Sequence, residues 1–81
     1  MNEPRIMTLE EVEGADFVHL DLHGEIMPDC AVHVFKDHPN ISFTSPENIN
    51  TYARKSEYGR TWRCWTEVPT ITQQKAVAWD A

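Results

Sequence analysis

The stretch Asp16–Lys36, "DFVHLDLHGEIMPDCAVHVFK", decides the fold. In its first part Val18, Leu20 and Leu22 alternate with Phe17, His19, Asp21 and His23. In its last part Cys30, Val32 and Val34 alternate with Ala31, His33 and Phe35. A period of two puts successive side chains on opposite faces of a strand, so both parts are expected as half-buried strands. Joined through Gly24 to Asp29, with Pro28 inside the connection, they form a hairpin with six apolar side chains on one face and the histidines on the other.

Working outward toward the C-terminus, "DHPN" (Asp37–Asn40) is a turn, because Pro39 fixes its own φ and pushes His38 away from helical geometry. A short third strand, Ile41–Phe43, follows. Ser45-Pro46-Glu47 then offers an N-cap, a proline at the first helical position and an acid in the first turn. A helix is expected from there to Tyr58, with Gly59 as its stop and Ile49, Tyr52, Ala53 and Ser56 as a thin apolar stripe. Arg60–Glu67 is expected as a fourth strand. Trp62, Cys64, Thr66 and Val68 point one way in it, and Thr61, Arg63, Trp65 and Glu67 the other. That assigns Trp62 and Cys64 to the core. Trp65 is either covered by the C-terminal helix with Trp79 or open to a partner. Pro69-Thr70 starts that last helix, with Thr70 and Gln73 at capping-box spacing, and Ile71, Val77 and Trp79 ride on it.

Toward the N-terminus, Thr8 and Glu11 have the same capping-box spacing, and Met7 and Val12 sit at hydrophobic-staple positions. Gly14 stops this helix after little more than one turn. Residues 1–6 are expected as a loose segment. The fold class is therefore α+β: a small, mostly antiparallel sheet of three or four strands with two or three short helices, in the order α-β-β-β-α-β-α, spanning 1–81 as one globular domain.

At 81 residues one core carries the stability, so the three Trp, three Phe and two Tyr are needed mostly inside. No apolar run is long enough to span a membrane, and the acidic start has no signal-peptide apolar region, so a cytoplasmic protein is expected. Cys30 and Cys64 are expected as buried free thiols, with a single bridge left open. The net charge is −6 and it is polarised: residues 1–30 hold eight acids and one base, residues 31–81 five acids and six bases.

His19, Asp21 and His23 fall on one strand face, and His33 joins them from the paired strand. These are zinc-ligand types. Same-face strand neighbours are about 6–7 Å apart, however, whereas two donors on one zinc ion lie within about 4.2 Å. The bland alternative is the solvent face of an amphipathic hairpin, and no metal is assigned. The glycines are too scattered for a phosphate loop, Cys30 reads as packing, and no cofactor or enzymatic activity is expected. The segment Tyr52–Trp65 interleaves aromatic and basic side chains. Arg54, Lys55, Arg60, Arg63 and Trp65 are accordingly the candidate contact residues, for a protein partner first and for single-stranded nucleic acid second. A metal-dependent enzyme built on the histidines is the third reading.

"MTLEEV" (Met7–Val12) and "YGRTWRCWTEVPTITQQKAVAWD" (Tyr58–Asp80) resemble small uncharacterised phage and prophage proteins of Gram-positive gut bacteria. Those end in a Tyr-Gly-Lys-Thr-Trp-Arg-Cys-Trp-Thr segment followed by Pro-Thr, a short polar helix and a late Trp; here Arg60 stands at the usual Lys. The resemblance implies a phage accessory protein in a bacterial cytoplasm and carries over no catalytic residue.

Overall fold

Residues 3–81 are described by a computed structural model. The hairpin forms as β1 (Phe17–Leu22) and β2 (Glu25–Val34). β2 begins five residues earlier than Cys30, because the connection is only His23-Gly24, both with positive φ (52° and 107°). That is the two-residue hairpin turn whose twist matches the strands, and Gly24 tolerates it without steric cost. Pro28 and Asp29 are absorbed by a bulge: the register runs from Val18↔Cys30 to Leu20↔Met27, and Asp29 takes φ 55°. β3 (Asn40–Thr44) then pairs with β2.

The helix expected from Ser45 to Tyr58 does not form. Ser45–Ile49 makes a tight turn instead, with the Ser45 and Ile49 backbones hydrogen-bonded, the Ser45 hydroxyl accepting from the Ile49 N–H, and Asn48 at φ 65°. Asn50–Arg54 becomes β4, in five-residue register with β3, and only Lys55–Glu57 is helical, as one 3₁₀ turn. The Ser-Pro-Glu start signal fits a turn as well as an N-cap, and the thin stripe behind it could not outweigh a strand ladder with β3. Tyr52 and Ile49 are exposed, while Ala53 is buried.

From β4 the chain crosses the sheet and returns as β5 (Arg63–Trp65), shorter than the expected Arg60–Glu67, antiparallel to β1. The result is α+β with a five-stranded antiparallel sheet in the order β4-β3-β2-β1-β5, one strand more than expected, and two short α-helices. α1 (Leu9–Gly14) and α2 (Ile71–Ala76) both carry complete capping boxes, from Thr8/Glu11 and Thr70/Gln73. α2 ends before Val77 and Trp79, which lie beyond it.

Of the expected loose segment, residues 1 and 2 lie outside the described residues, whereas Arg5–Met7 are tied down along β5. Met7 N–H donates to Cys64 O, Thr66 N–H to Arg5 O, and Ile6 bridges Trp65. This strip covers the β5 edge, leaving β4 as the open edge.

One face of the sheet carries the apolar core. Val18, Leu20, Cys30, Ile41, Phe43, Ala53 and Cys64 are buried there beneath Val12 of α1 and Trp62 of the crossover. Trp62 packs edge-on to Phe43 and Tyr58 at centroid distances of 5.4 and 4.7 Å, and its indole N–H donates to Arg54 O. Of the six apolar hairpin residues, Val18, Leu20 and Cys30 are buried and Leu22 and Val32 partly so; Val34 is exposed. Tyr58 ties the crossover to the N-terminal strip: its hydroxyl donates to Met7 O and accepts from the Cys64 N–H. Burial pushes the Tyr58 hydroxyl up to about 12. Cys30 and Cys64 are free. They sit on β2 and β5, on either side of β1, so two strand spacings of about 9.6 Å separate their backbones, too far for the bridge left open by the sequence. Burial raises both thiols, Cys64 strongly.

Candidate functional site

The opposite face of the sheet is where the candidate residues gather. β1 presents Phe17, His19 and Asp21 to it, and β5 presents Arg63 opposite Asp21 and Trp65 opposite His19. Alternation places them there; the register decides what they meet. Asp21, expected on the solvent side of the hairpin, has no exposed surface, and Arg63 and Trp65 are only 2% and 1% exposed. One carboxylate organises the cluster. Asp21 Oδ2 accepts from Arg63 Nε at 3.1 Å and Trp65 Nε1 at 2.8 Å, while Oδ1 accepts from the Gly24 N–H at 2.7 Å.

Arg63 then reaches the C-terminal segment. Its two terminal nitrogens donate to Gln74 O, in the last turn of α2, and to Val77 O, just beyond the helix. Above it lies Trp79, whose ring centroid is 4.0 Å from the guanidinium carbon, and His23 stacks on Trp79 at 4.7 Å and 19°. Asp80 N–H donates to Gly59 O, and Gly59 takes φ 86°, a backbone conformation that side-chain-bearing residues rarely adopt, with the Asp80 carboxylate 2.8 Å from the place of a Cβ. The C-terminal segment is thus clamped over β1 and β5, although α2 itself buries no residue.

Arg63 and Trp65, taken from the sequence as contact candidates, are therefore interior, and the question about Trp65 is answered by burial. Lys55 and Arg60 are at the surface but engaged, with Glu13 and Glu57 respectively, each at 3.8 Å. Arg54 alone of the five is exposed and without an ion-pair partner among the described residues.

The four residues weighed as metal ligands are each otherwise engaged. His19 Nδ1 accepts from the Asp29 N–H, Asp21 holds Arg63, His23 stacks on Trp79 and His33 Nε2 lies 3.3 Å from the Thr44 hydroxyl. No metal-binding group of three such side chains occurs among the described residues. A cavity of about 440 Å³ opens beside Trp79, with Arg63, Ile71, Lys75 and Val77 among its lining. Its titratable side chains are the Lys75 amine and the Arg63 guanidinium, and the rest of its lining offers contact surface.

The C-terminal segment covers only the β1 and β5 side of this face. Over β2, β3 and β4 the face is open. Its cross-strand rows are Phe17–Ala31–Thr44–Asn50 and His33–Ser42–Tyr52. Phe17 and Tyr52 are 67% and 70% exposed. Phe17 escaped the sequence reading as one side of an alternating strand, whereas Tyr52 opened the aromatic and basic segment expected as a contact surface but was placed on a helical stripe. The available signal for Asp21 was an acid on a strand's polar side in a chain whose next aromatic strand carries Arg.

Compared with known proteins, the chain matches no family model, no curated protein and no solved structure. No helix among the described residues is long and apolar enough to cross a membrane.

Proposed function

We propose that this chain is a non-enzymatic binding protein, of the phage accessory kind its sequence resembles, that docks an acidic surface on a host or phage protein with a basic face. One observation carries the reading: the chain neutralises most of its own bases. Arg5, Lys55, Arg60 and Arg63 pair with Glu11, Glu13, Glu57 and Asp21. Four of the seven bases and four of the thirteen acids are thereby matched, leaving nine acids against Lys36, Arg54 and Lys75. A surface of that sign repels phosphate and attracts a basic protein.

Capture from a Gram-positive host lysate tests this with two baits, the natural chain and its Glu10→Lys, Asp16→Lys, Glu25→Lys variant. These three acids are exposed and unpaired among the described residues. A protein held by the first bait, released by raised salt and absent from the second is the expected result. Identical captures on both baits overturn the proposal.

The nucleic-acid reading keeps one supporting observation, that Arg54 and Tyr52 are both exposed on one open face. Titration with a labelled single-stranded oligonucleotide at low salt separates the two. Binding whose logarithm falls linearly with log salt, and which Arg54→Ala weakens, favours nucleic acid and removes the acidic docking proposal.

A further inference from the structure

The two edges of the sheet are finished differently. Arg5–Met7 lies along β5, whereas no described segment lies along β4. The backbone shows which groups that leaves unpaired. In a strand the N–H and C=O of one residue point to the same side, and the side alternates along the chain. Ile49 O and Lys55 N–H bond toward the β3 side, to Ser45 N–H and Pro39 O. Thr51 and Ala53 therefore face β3 as well, and Asn50, Tyr52 and Arg54 aim their N–H and C=O groups away from the sheet. Of these six groups Arg54 O has an internal partner, the Trp62 indole N–H, and a carbonyl oxygen keeps a second lone pair.

Edge strands are usually blunted by proline, lysine, a bulge or an inward charge. β4, "NTYAR", carries none of these at its centre, and its Tyr52 ring is 70% exposed. Its sequence also suits pairing with itself. Consider a two-fold axis perpendicular to the sheet, just outside β4 and level with Tyr52. It sets a second β4 antiparallel to the first, with Tyr52 opposite its own copy, Thr51 opposite Ala53, and Asn50 opposite Arg54. The outward-aimed residues 50, 52 and 54 then form the hydrogen-bonded pairs of the new ladder.

The side chains agree with that register. Two exposed Tyr52 rings come side by side on the open face, as an aromatic cross-strand pair. Each Arg54 guanidinium meets the amide of Asn50 from the other copy, and no like charges face each other. The neighbouring registers are poorer. Centring on Arg54 brings two guanidiniums together, and centring on Asn50 sets Tyr52 against the Ser45–Ile49 turn, outside the strand. We infer that a second copy of this chain pairs with the open β4 edge, joining two five-stranded sheets into one ten-stranded sheet about a two-fold axis at Tyr52. Each contact in it occurs twice, as an isologous interface requires.

Five residues a side make a small interface, so the dimer is weak and forms at high protein concentration. Two copies of charge −6 also repel at long range. Association is best measured near 0.15 M salt, where a Debye length of about 8 Å damps that repulsion.

Sedimentation equilibrium from micromolar to millimolar protein tests the interface. The natural chain is expected to show a concentration-dependent monomer–dimer equilibrium. Tyr52→Pro removes an outward N–H that the ladder with β3 does not use, and proline is tolerated on an edge strand in that orientation. It should abolish association while the monomer stays folded by circular dichroism. Two substitutions at Asn50 read the register. Asn50→Glu places a carboxylate opposite each Arg54 of the other copy and should strengthen association several-fold. Asn50→Arg places like charges there twice and should weaken it at least tenfold; it carries the test alone where Tyr52→Pro unfolds the chain. A natural chain that stays monomeric at millimolar concentration overturns the inference. So does a folded Tyr52→Pro variant that dimerises like the natural chain, or a pair of Asn50 variants that shift association equally. A monomeric chain that binds oligonucleotide through Tyr52 and Arg54 assigns the edge to nucleic acid and overturns it equally.

Discussion

The two faces of one sheet are closed by different physics. On the first, Val18, Leu20, Ile41, Phe43, Cys64 and Trp62 exclude water by shape and apolar area, and the indole N–H is met by Arg54 O. On the second, the interior is organised around a carboxylate and a guanidinium. Taking charges out of water costs several kcal/mol per ion, so such a site persists only where each charge has a full set of partners. Asp21 accepts from three donors and Arg63 donates to three acceptors; no buried side-chain nitrogen or oxygen among the described residues is without a partner. An apolar face tolerates some variation of its parts, whereas the ionic face depends on every one of them.

The largest effect should come from the apolar side. Trp62→Ala removes the largest core side chain and its hydrogen bond, and is expected to cost about 3–5 kcal/mol. A chain of this length has only roughly 4–12 kcal/mol in all, so urea unfolding followed by circular dichroism should show a variant that is partly unfolded without denaturant. A folded variant with an unchanged midpoint would remove Trp62 from the core.

Arg63→Ala should rival it, at about 3–5 kcal/mol, because it leaves Asp21 buried without its counter-charge. Its signature differs. The C-terminal segment loses its two backbone anchors, so trypsin should cut after Lys75 sooner, while the amides of β1 keep more of their exchange protection. Equal loss at both places would make the two faces a single cooperative unit. Replacing the pair together, Asp21→Leu with Arg63→Met, should cost less than the two single changes added, since the charges leave as a pair. Strict additivity would argue that they are not coupled.

Smaller effects come from the two helix starts. Thr8→Ala and Thr70→Ala each remove a capping hydroxyl, worth about 1 kcal/mol. The first is expected to lower the global unfolding midpoint, because α1 carries buried Val12, and the second to loosen only the C-terminal segment, because α2 buries nothing. Protease sensitivity after Lys75 tells them apart.

The smallest effect is acid-dependent. The Arg5 guanidinium, and then the Thr8 N–H, hold the Glu11 carboxyl down to about 2 from its ordinary 4.5. A carboxyl lowered on folding stabilises fully above its unfolded value and loses that contribution as pH falls from about 4.5 toward 2. Melting temperature plotted across this range should fall less for Glu11→Gln than for the natural chain. Parallel plots would show that the exposed pair contributes nothing.

Much of the first face was legible in the chain itself. Alternation at Val18, Leu20 and Cys30 and the capping boxes at Thr8 and Thr70 are local signals, and local backbone and side-chain preferences produced the elements they name. The segment Ser45–Tyr58 was misleading because its start signal serves a turn and a helix alike. Only a neighbouring strand, β3, could tip Asn50–Arg54 into a ladder, and that neighbour is a tertiary fact. The candidate contact residues suffered in the same way: a count of bases near aromatics does not reveal which carboxylates face them.

What the sequence by itself determined about this protein is its α+β class, its hairpin, its two capped helices and its acidic balance, all set by periodicity, capping geometry and charge within short windows. Only the tertiary structure decided that Asp21 and Arg63 lie inward. They are 42 residues apart and meet only when β5 returns to β1, and a strand's polar side becomes interior only when another segment covers it. The same path of the chain turned Asn50–Arg54 into an edge strand and left its outer backbone groups without a neighbouring strand. Burial belongs to whole surfaces brought together, and no single stretch of sequence contains both sides of one.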